Sequence, residues 1–84
     1  MTLVVLHFWA GARAAAGAET EQFEAENVAD AVAQAGVRHA DGRLAKVLPS
    51  CSLLIDGRVL GEDDLRASLT RDVTVEVLPP FAGG

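Results

Sequence analysis

The residues best suited to chemistry stand in the run Pro79-Pro80-Phe81-Ala82-Gly83-Gly84, here called the Gly-Gly tail. Two prolines stiffen the exit from the preceding apolar run, and one aromatic side chain follows them. The glycine backbone can pass through a narrow channel and approach a partner closely. The group it delivers is the α-carboxylate of Gly84, which is ionised at neutral pH. We therefore predict a flexible segment over residues 79–84 that presents Gly84 and contacts partners through Pro79, Pro80, Phe81, Ala82 and Gly83.

The composition bounds the class of protein. The chain has 84 residues, half of them apolar, and a net charge of −5, which predicts one folded domain over residues 1–78. The acidic balance argues against nucleic-acid binding, and it favours either a basic partner surface or simply solubility. A single cysteine permits no disulfide within the chain and fits the cytoplasm. No stretch approaches the roughly 20 apolar residues of a membrane span, and the first residues lack the basic start of a signal peptide.

The remaining titratable residues form no recognisable catalytic or metal-binding motif. No carboxylate stands at a spacing that ties it to His7 or His39, so both are predicted to be structural or interfacial and no metal site is expected. Cys51 is predicted to be a buried strand residue, with a sulfur relay as the less favoured alternative. The run Glu62-Asp63-Asp64 predicts a solvated loop or short helical turn, and contact with a basic enzyme is its alternative interpretation.

The hydrophobic pattern supplies the elements that position the tail. Leu3 to Trp9 predicts a central strand with Val5, His7 and Trp9 on one face and Val4, Leu6 and Phe8 on the opposite face. After it we expect a loop or helical turn over 10–18 and an edge strand over 19–26 that is joined to the first strand as a hairpin. A helix follows from Val28 to about Ala40 with Asn27 as its N-cap, and then a helical turn over 44–48 that is closed by Pro49. The remaining elements are a strand over 51–56, a two-residue turn at Asp56-Gly57, a short strand over 58–60, and a strand over 73–78 with Val73, Val75 and Val77 facing the core.

This order of elements predicts the topology. The first and last strands are separated by the whole domain, so they would pair in parallel at the centre of one sheet. That arrangement is α+β: a ubiquitin-like β-grasp with a mixed sheet of four to five strands and one main helix packed on one face. A ferredoxin-like arrangement is the alternative, but it needs a second full helix, and residues 62–68 are too few for one. Because one helix covers only one face, Val5, His7 and Trp9 form a candidate docking surface.

Three stretches carry a resemblance to a known family. Val77 to Gly84 resembles the last strand, proline pair, apolar residue and Gly-Gly terminus of the sulfur carriers, which include the small subunit of molybdopterin synthase (the MoaD type) and the thiamine thiazole carrier (the ThiS type). Phe8 to Arg13, followed by Gly17, resembles the segment after the first strand in the molybdopterin branch. Leu54-Ile55-Asp56-Gly57 is similar to the family's turn after the third strand.

The resemblance implies a function and partners. A ubiquitin-activating-like adenylyltransferase would adenylate Gly84 with ATP, and a sulfur donor would convert it to a thiocarboxylate. The tail would then enter the large subunit of molybdopterin synthase and donate sulfur to the pterin precursor of the molybdenum cofactor. The chain itself would be a non-catalytic subunit that binds no cofactor, since the synthase's catalytic groups would lie on the partner. The alternatives are a carrier for thiazole or cysteine synthesis and a ubiquitin-like protein modifier.

Overall fold

The computed structural model describes residues 2–80, which form one five-stranded sheet with helices packed against it. The strands run in the spatial order β2-β1-β5-β3-β4, with β1 and β5 parallel and the other neighbours antiparallel. This is the predicted β-grasp, with β5 at the centre of the sheet. In chain order the elements are β1 (Thr2–Phe8), α1 (Ala10–Ala16), β2 (Thr20–Ala25), α2 (Val28–Arg38), α3 (Arg43–Val47), β3 (Ser52–Ile55), β4 (Arg58–Val59), α4 (Glu62–Arg66) and β5 (Val73–Leu78).

The core lies between one face of the sheet and the helices. Strand alternation sends Val4, Leu6 and Phe8 of β1 inward, where each is 0% exposed. Their register partners on β5 are Val73, Val75 and Val77, of which Val75 and Val77 are fully buried and Val73 is partly buried at the margin. The inward-facing apolar side chains of the two strands therefore pack together beneath the parallel pair at the sheet centre.

Helix α2 covers this core as the sequence predicts. The Asn27 side chain accepts a hydrogen bond from the backbone N–H of Asp30 at 2.7 Å, which caps the helix, and Val28, Ala31 and Ala35 turn inward. The helix ends at Arg38, two residues before the predicted end, because His39 leaves the helical conformation with φ −95° and ψ 83°.

The connections between the elements mostly follow the prediction. The first two strands pair antiparallel as predicted, and the predicted loop or helical turn between them is helix α1, which ends at Gly17 in a left-handed conformation with φ 70°. Pro49 does not close the turn after α3 but lies inside a 3₁₀-helix over Leu48–Ser50. The acidic run forms most of α4, which is the short helical turn that the sequence predicts there as the alternative to a loop. The turn at Asp56-Gly57 is confirmed, and both residues have positive φ, 51° and 79°, as a type I′ turn requires.

Candidate functional site

The root of the Gly-Gly tail is the end of the central strand. The backbone N–H of Trp9 donates to the Val77 carbonyl at 3.1 Å on one side, and Leu78 pairs with Ser52 on the other. Pro79 and Pro80 follow without regular structure, and proline has no N–H with which to extend the ladder. The tail therefore begins at a fixed point on the sheet. The predictions made for Phe81, Ala82, Gly83 and Gly84 lie outside the described residues.

Beside this root, the structure brings together the side chains predicted to share the outer face of β1. Val5 and His7 are half-buried on the face opposite the core, and Trp9 follows at the end of the strand with 41% of its surface exposed. The Trp9 ring lies 4.6 Å from the His7 ring, centroid to centroid. The outer face of the sheet, defined by these residues and their neighbours Glu76 and Leu78, is the candidate site.

No sequence spacing ties a carboxylate to His7, but the pairing of β1 with β5 places one beside it. Nδ1 of His7 lies 2.9 Å and 3.1 Å from the two carboxylate oxygens of Glu76, its register partner on β5. The indole Nε1 of Trp9 donates to Oε2 of Glu76 at 3.4 Å, a long hydrogen bond. Glu76 thus contacts both ring systems from the central strand.

A second carboxylate approaches His7 from the other side. Oε1 of Glu19 lies 3.8 Å from Nε2 of His7, and Oε2 of Glu19 forms an ion pair with Nη2 of Arg13 at 3.2 Å. More than half of the Glu19 side chain is exposed, so solvent screens both pairs and each contributes little to stability. What these contacts do is align four polar side chains in a continuous row beside the tail root, in the order Arg13, Glu19, His7 and Glu76.

Sequence reasoning missed both carboxylates because their proximity to His7 depends on the folded arrangement. Glu76 is brought to His7 by the pairing of β5 with β1 across 69 positions of sequence, and Glu19 is brought back to it by the α1 connection between β1 and β2. One signal was available for Glu76, the only charged residue in the last strand. Strand alternation places Glu76 on the outer face of the sheet, because its neighbours Val75 and Val77 face the core. Assigning it to His7 needs the parallel register of β1 and β5, and no local spacing specifies that register.

The other histidine also has a carboxylate partner. Nε2 of His39 lies 2.7 Å from Oε1 of Glu21, and both side chains are less than 20% exposed. The neighbouring Arg38 guanidinium lies 4.3 Å from the centre of the Phe23 ring, a cation–π contact. These two contacts connect the C-terminal end of α2 to edge strand β2 on the core side of the sheet. Their role is therefore to stabilise the packing of the helix on the sheet.

Cys51 differs from its predicted position. It precedes β3 instead of lying in it, and it is half-buried beside an apolar groove of about 760 Å³ that Val32 and Leu53 also line. Its thiol donates to the Val47 carbonyl at 3.3 Å. Burial raises the pKa of Cys51 above its ordinary value of 9.0, which disfavours the nucleophilic thiolate.

The acidic run has a structural role. The Asp64 carboxylate accepts from the backbone N–H of Gly61 at 2.9 Å and so caps α4. This backbone hydrogen bond lowers the pKa of Asp64 below its ordinary value, and the nearby Arg58 guanidinium acts in the same direction.

Residues 2–80 contain neither a cluster of three or more acidic, histidine or cysteine residues suited to a metal ion nor a helix long and apolar enough to cross a bilayer. The polar row on the outer face is partly exposed. Its geometry suits contact with a protein surface better than enclosure of a substrate.

Comparison with known proteins agrees with this architecture. The family model of the ThiS family matches residues 6–84. No curated protein matches the sequence significantly.

Solved structures resemble the fold over nearly its whole length. A Pyrococcus furiosus protein described as molybdopterin converting factor, subunit 1, is 20% identical, with a TM-score of 0.76, and the alignment covers 96% of this chain and 100% of that one. Small archaeal modifier protein 1 of Methanosarcina acetivorans is 23% identical, with a TM-score of 0.81 and coverage of 100% and 98%. A complex of subunits 1 and 2 of the Helicobacter pylori molybdopterin-converting factor contains a chain that is 18% identical, with a TM-score of 0.67 and coverage of 98% and 99%.

Proposed function

Because this chain belongs to the ThiS family of sulfur carriers, we propose that Gly84 is adenylated and then converted to a C-terminal thiocarboxylate. The observation that carries the proposal is the extent of the family match, which includes Gly83 and Gly84 as well as the folded domain. The position of the tail root supports it, since the tail begins at the central strand beside a half-exposed outer face.

The proposed chemistry takes place in two steps on the tail. A carboxylate is a poor electrophile, so a carboxylate oxygen of Gly84 first attacks the α-phosphorus of ATP and releases pyrophosphate. Sulfide then attacks the acyl carbon, the carbon–oxygen bond to AMP breaks, and a carbon–sulfur bond forms to give the thiocarboxylate. When the donor is a persulfide, its outer sulfur attacks in the same way and gives an acyl disulfide. A second thiol of the donor system then attacks the donor's inner sulfur, which breaks the S–S bond, releases the thiocarboxylate and leaves a disulfide on the donor. The adenylyltransferase supplies the catalytic groups for these steps, and this chain supplies the acyl group. The reaction is assigned to the cytoplasm, where the single cysteine stays reduced.

We further propose that the sulfur is donated to the pterin precursor of the molybdenum cofactor, with the large subunit of molybdopterin synthase as the acceptor partner. Two observations favour this branch. The Phe8 to Arg13 segment resembles the molybdopterin carriers, and the Helicobacter pylori neighbour is a subunit in a complex of subunits 1 and 2 of a molybdopterin-converting factor. Thiazole or cysteine synthesis is the alternative destination for the same chemistry.

A second candidate function is protein modification through Gly84. The Methanosarcina acetivorans neighbour is named a small archaeal modifier protein, which favours this candidate. Lys46 is the chain's only lysine and lies exposed on α3, so self-linked chains would have a single attachment point. Adducts that join Gly84 to lysines of other proteins would be its signature.

Intact-mass spectrometry tests the proposal. The purified chain is incubated with its adenylyltransferase, ATP and a sulfur donor, and the expected result is a mass gain equal to the replacement of one oxygen by sulfur. A chain lacking Gly84, or extended by one residue after it, should show no gain and an unchanged circular dichroism spectrum. Loading of either altered chain would contradict the assignment to Gly84. Identification of the protein that co-purifies with the loaded chain then separates a molybdopterin synthase subunit from a thiazole or cysteine synthase.

A further inference from the structure

Trp9 is held in a defined position although its surface is 41% exposed. Its backbone position is fixed by two features. The N–H of Trp9 forms the last hydrogen bond of the ladder to Val77, and the next residue, Ala10, turns the chain into α1 with φ 46°. A positive φ at a non-glycine residue is a strained conformation, and the surrounding structure must maintain it. The direction in which the chain leaves β1 at Trp9 is therefore determined by the fold.

Two side chains then restrict the indole. His7 lies against it at 4.6 Å between ring centroids, and the Glu76 carboxylate accepts from its Nε1. Glu76 is oriented in turn by two short contacts with His7. An aromatic side chain held this way loses less rotamer entropy when a partner covers it, and such residues are preferred as binding anchors.

The charges around Trp9 define the complementary partner. Around Trp9 the outer face carries the carboxylates of Glu76 and Glu19, and the Arg13 guanidinium beside them is already paired with Glu19. The half-buried aliphatic side chains of Val5 and Leu78 lie on the same face. A partner that fits this face offers an apolar pocket for the indole with cationic side chains at its rim.

We propose that His7 and Glu76 are positioning residues that hold the indole of Trp9 as a preformed anchor beside the tail root, and that this anchor docks the adenylating partner through an apolar pocket with a cationic rim. The inference rests on the proposed sulfur-carrier function for the identity of the partner. Binding of Trp9 would also fix the position of the tail root relative to the enzyme, because both lie at the same end of the sheet.

The first test uses the free protein. Trp9 is the only tryptophan, so its fluorescence reports the anchor directly. Glu76→Ala should shift the emission maximum to longer wavelength and lower the anisotropy, and Glu76→Gln, which keeps an acceptor oxygen, should restore most of both. Glu24→Gln is the matched control, since Glu24 pairs with Leu3 at the opposite end of β1. Unchanged emission and anisotropy in a folded Glu76→Ala chain would show that Glu76 does not hold the indole.

The second test measures loading by the adenylyltransferase that thiolates the wild-type chain, as a function of carrier concentration. Trp9→Ala should raise KM about tenfold, the loss of one strong anchor, and leave kcat within about twofold because Gly84 is untouched. Glu76→Ala should raise KM by a smaller factor, with partial rescue by Glu76→Gln and no change in Glu24→Gln. Circular dichroism confirms that each variant is folded.

The outcomes separate the two proposals. Wild-type KM in a folded Trp9→Ala chain would overturn the anchor while leaving the sulfur-carrier function standing. A loss of kcat alone would also overturn it, because docking affects the concentration needed and not the chemical step. A wild-type chain that no adenylyltransferase loads would overturn the proposed function, and the fluorescence comparison would still decide whether Glu76 positions Trp9.

Discussion

His39 and Glu21 join the end of α2 to edge strand β2, with Nε2 of the imidazole 2.7 Å from a carboxylate oxygen. The two residues are 18 positions apart, and both side chains are less than 20% exposed. Arg38 lies close to the same carboxylate, at 4.0 Å. The pair therefore connects the main helix to an edge of the sheet that has a strand on one side only.

Removal of the Glu21 carboxylate should lower the stability of the fold. Glu21→Ala leaves the half-buried His39 without its partner, and such a loss costs on the order of 1–2 kcal/mol. Glu24→Ala, on the same strand but exposed on the outer face, is the matched control and should stay within about 0.5 kcal/mol of wild type. Urea unfolding followed by circular dichroism measures both. Equal effects of the two substitutions would contradict the structural role of the pair.

Two glycines should respond to alanine with opposite signs. Gly57 has φ 79° in the β3–β4 turn, so Gly57→Ala should destabilise the protein by about 1 kcal/mol even though no atom lies within 4 Å of the added Cβ. Gly11 lies within α1, where φ is not positive and the added methyl also meets nothing within 4 Å. Gly11→Ala should stabilise by about 0.5–1 kcal/mol through helix propensity. Thermal unfolding distinguishes the signs, and a stabilising Gly57→Ala would exclude the type I′ turn.

Truncation in the core tests the central parallel pair. Leu6 is fully buried and faces Val75, so Leu6→Ala should cost about 2–5 kcal/mol. Leu3, on the same strand but on the outer face and only half-buried, is the matched control and should cost clearly less. Stabilities are compared by urea unfolding at equal protein concentration. If Leu3→Ala were the more damaging change, the assignment of faces on β1 would be wrong.

The sequence predicts the topology because its strongest signals are local and consistent with one another. The apolar runs of β1 and β5, the Asn27 cap and the Asp56-Gly57 turn each specify a structure within a few residues. The short helices are less well predicted. Residues 10–16 are mostly alanine, and α1 is stabilised by burying Ala12 and Ala16, which the sequence does not reveal.

The candidate site is predictable only in part, because local patterns can be read from the sequence and contacts between distant residues cannot. Strand alternation groups Val5, His7 and Trp9 on one face without knowledge of the partner strand. The contacts of His7 with Glu76 and of His39 with Glu21 cross 69 and 18 positions of sequence, and each depends on packing that brings separate elements together. Cys51 falls outside β3 because a 3₁₀-helix occupies the residues before it.

The cap of α4 should make its stability depend on pH. The pKa of Asp64 is lowered in the folded chain, so the contribution of its carboxylate is present above the ordinary value of 3.8 and is lost as the pH falls through the lowered value. Asp64→Asn should therefore melt below wild type at neutral pH, and the difference should disappear in strong acid. Glu62→Gln, in the same helix but outside the capping hydrogen bond, is the control. A difference in melting temperature that persists at the acid end would assign the effect to something other than this carboxylate.

Cys51 should be slow to react and dispensable for sulfur loading. Burial holds its pKa above 9.0, so less than about 1% of the thiol is ionised at pH 7. Alkylation by iodoacetamide should accelerate about tenfold for each pH unit between 7 and 9, since the thiolate is the nucleophile. In urea the reaction should be faster at the same pH because the unfolded thiol is hydrated. Cys51→Ala should be loaded at Gly84 at the wild-type rate, and a folded Cys51→Ala chain that is loaded slowly would instead support a sulfur relay through this thiol.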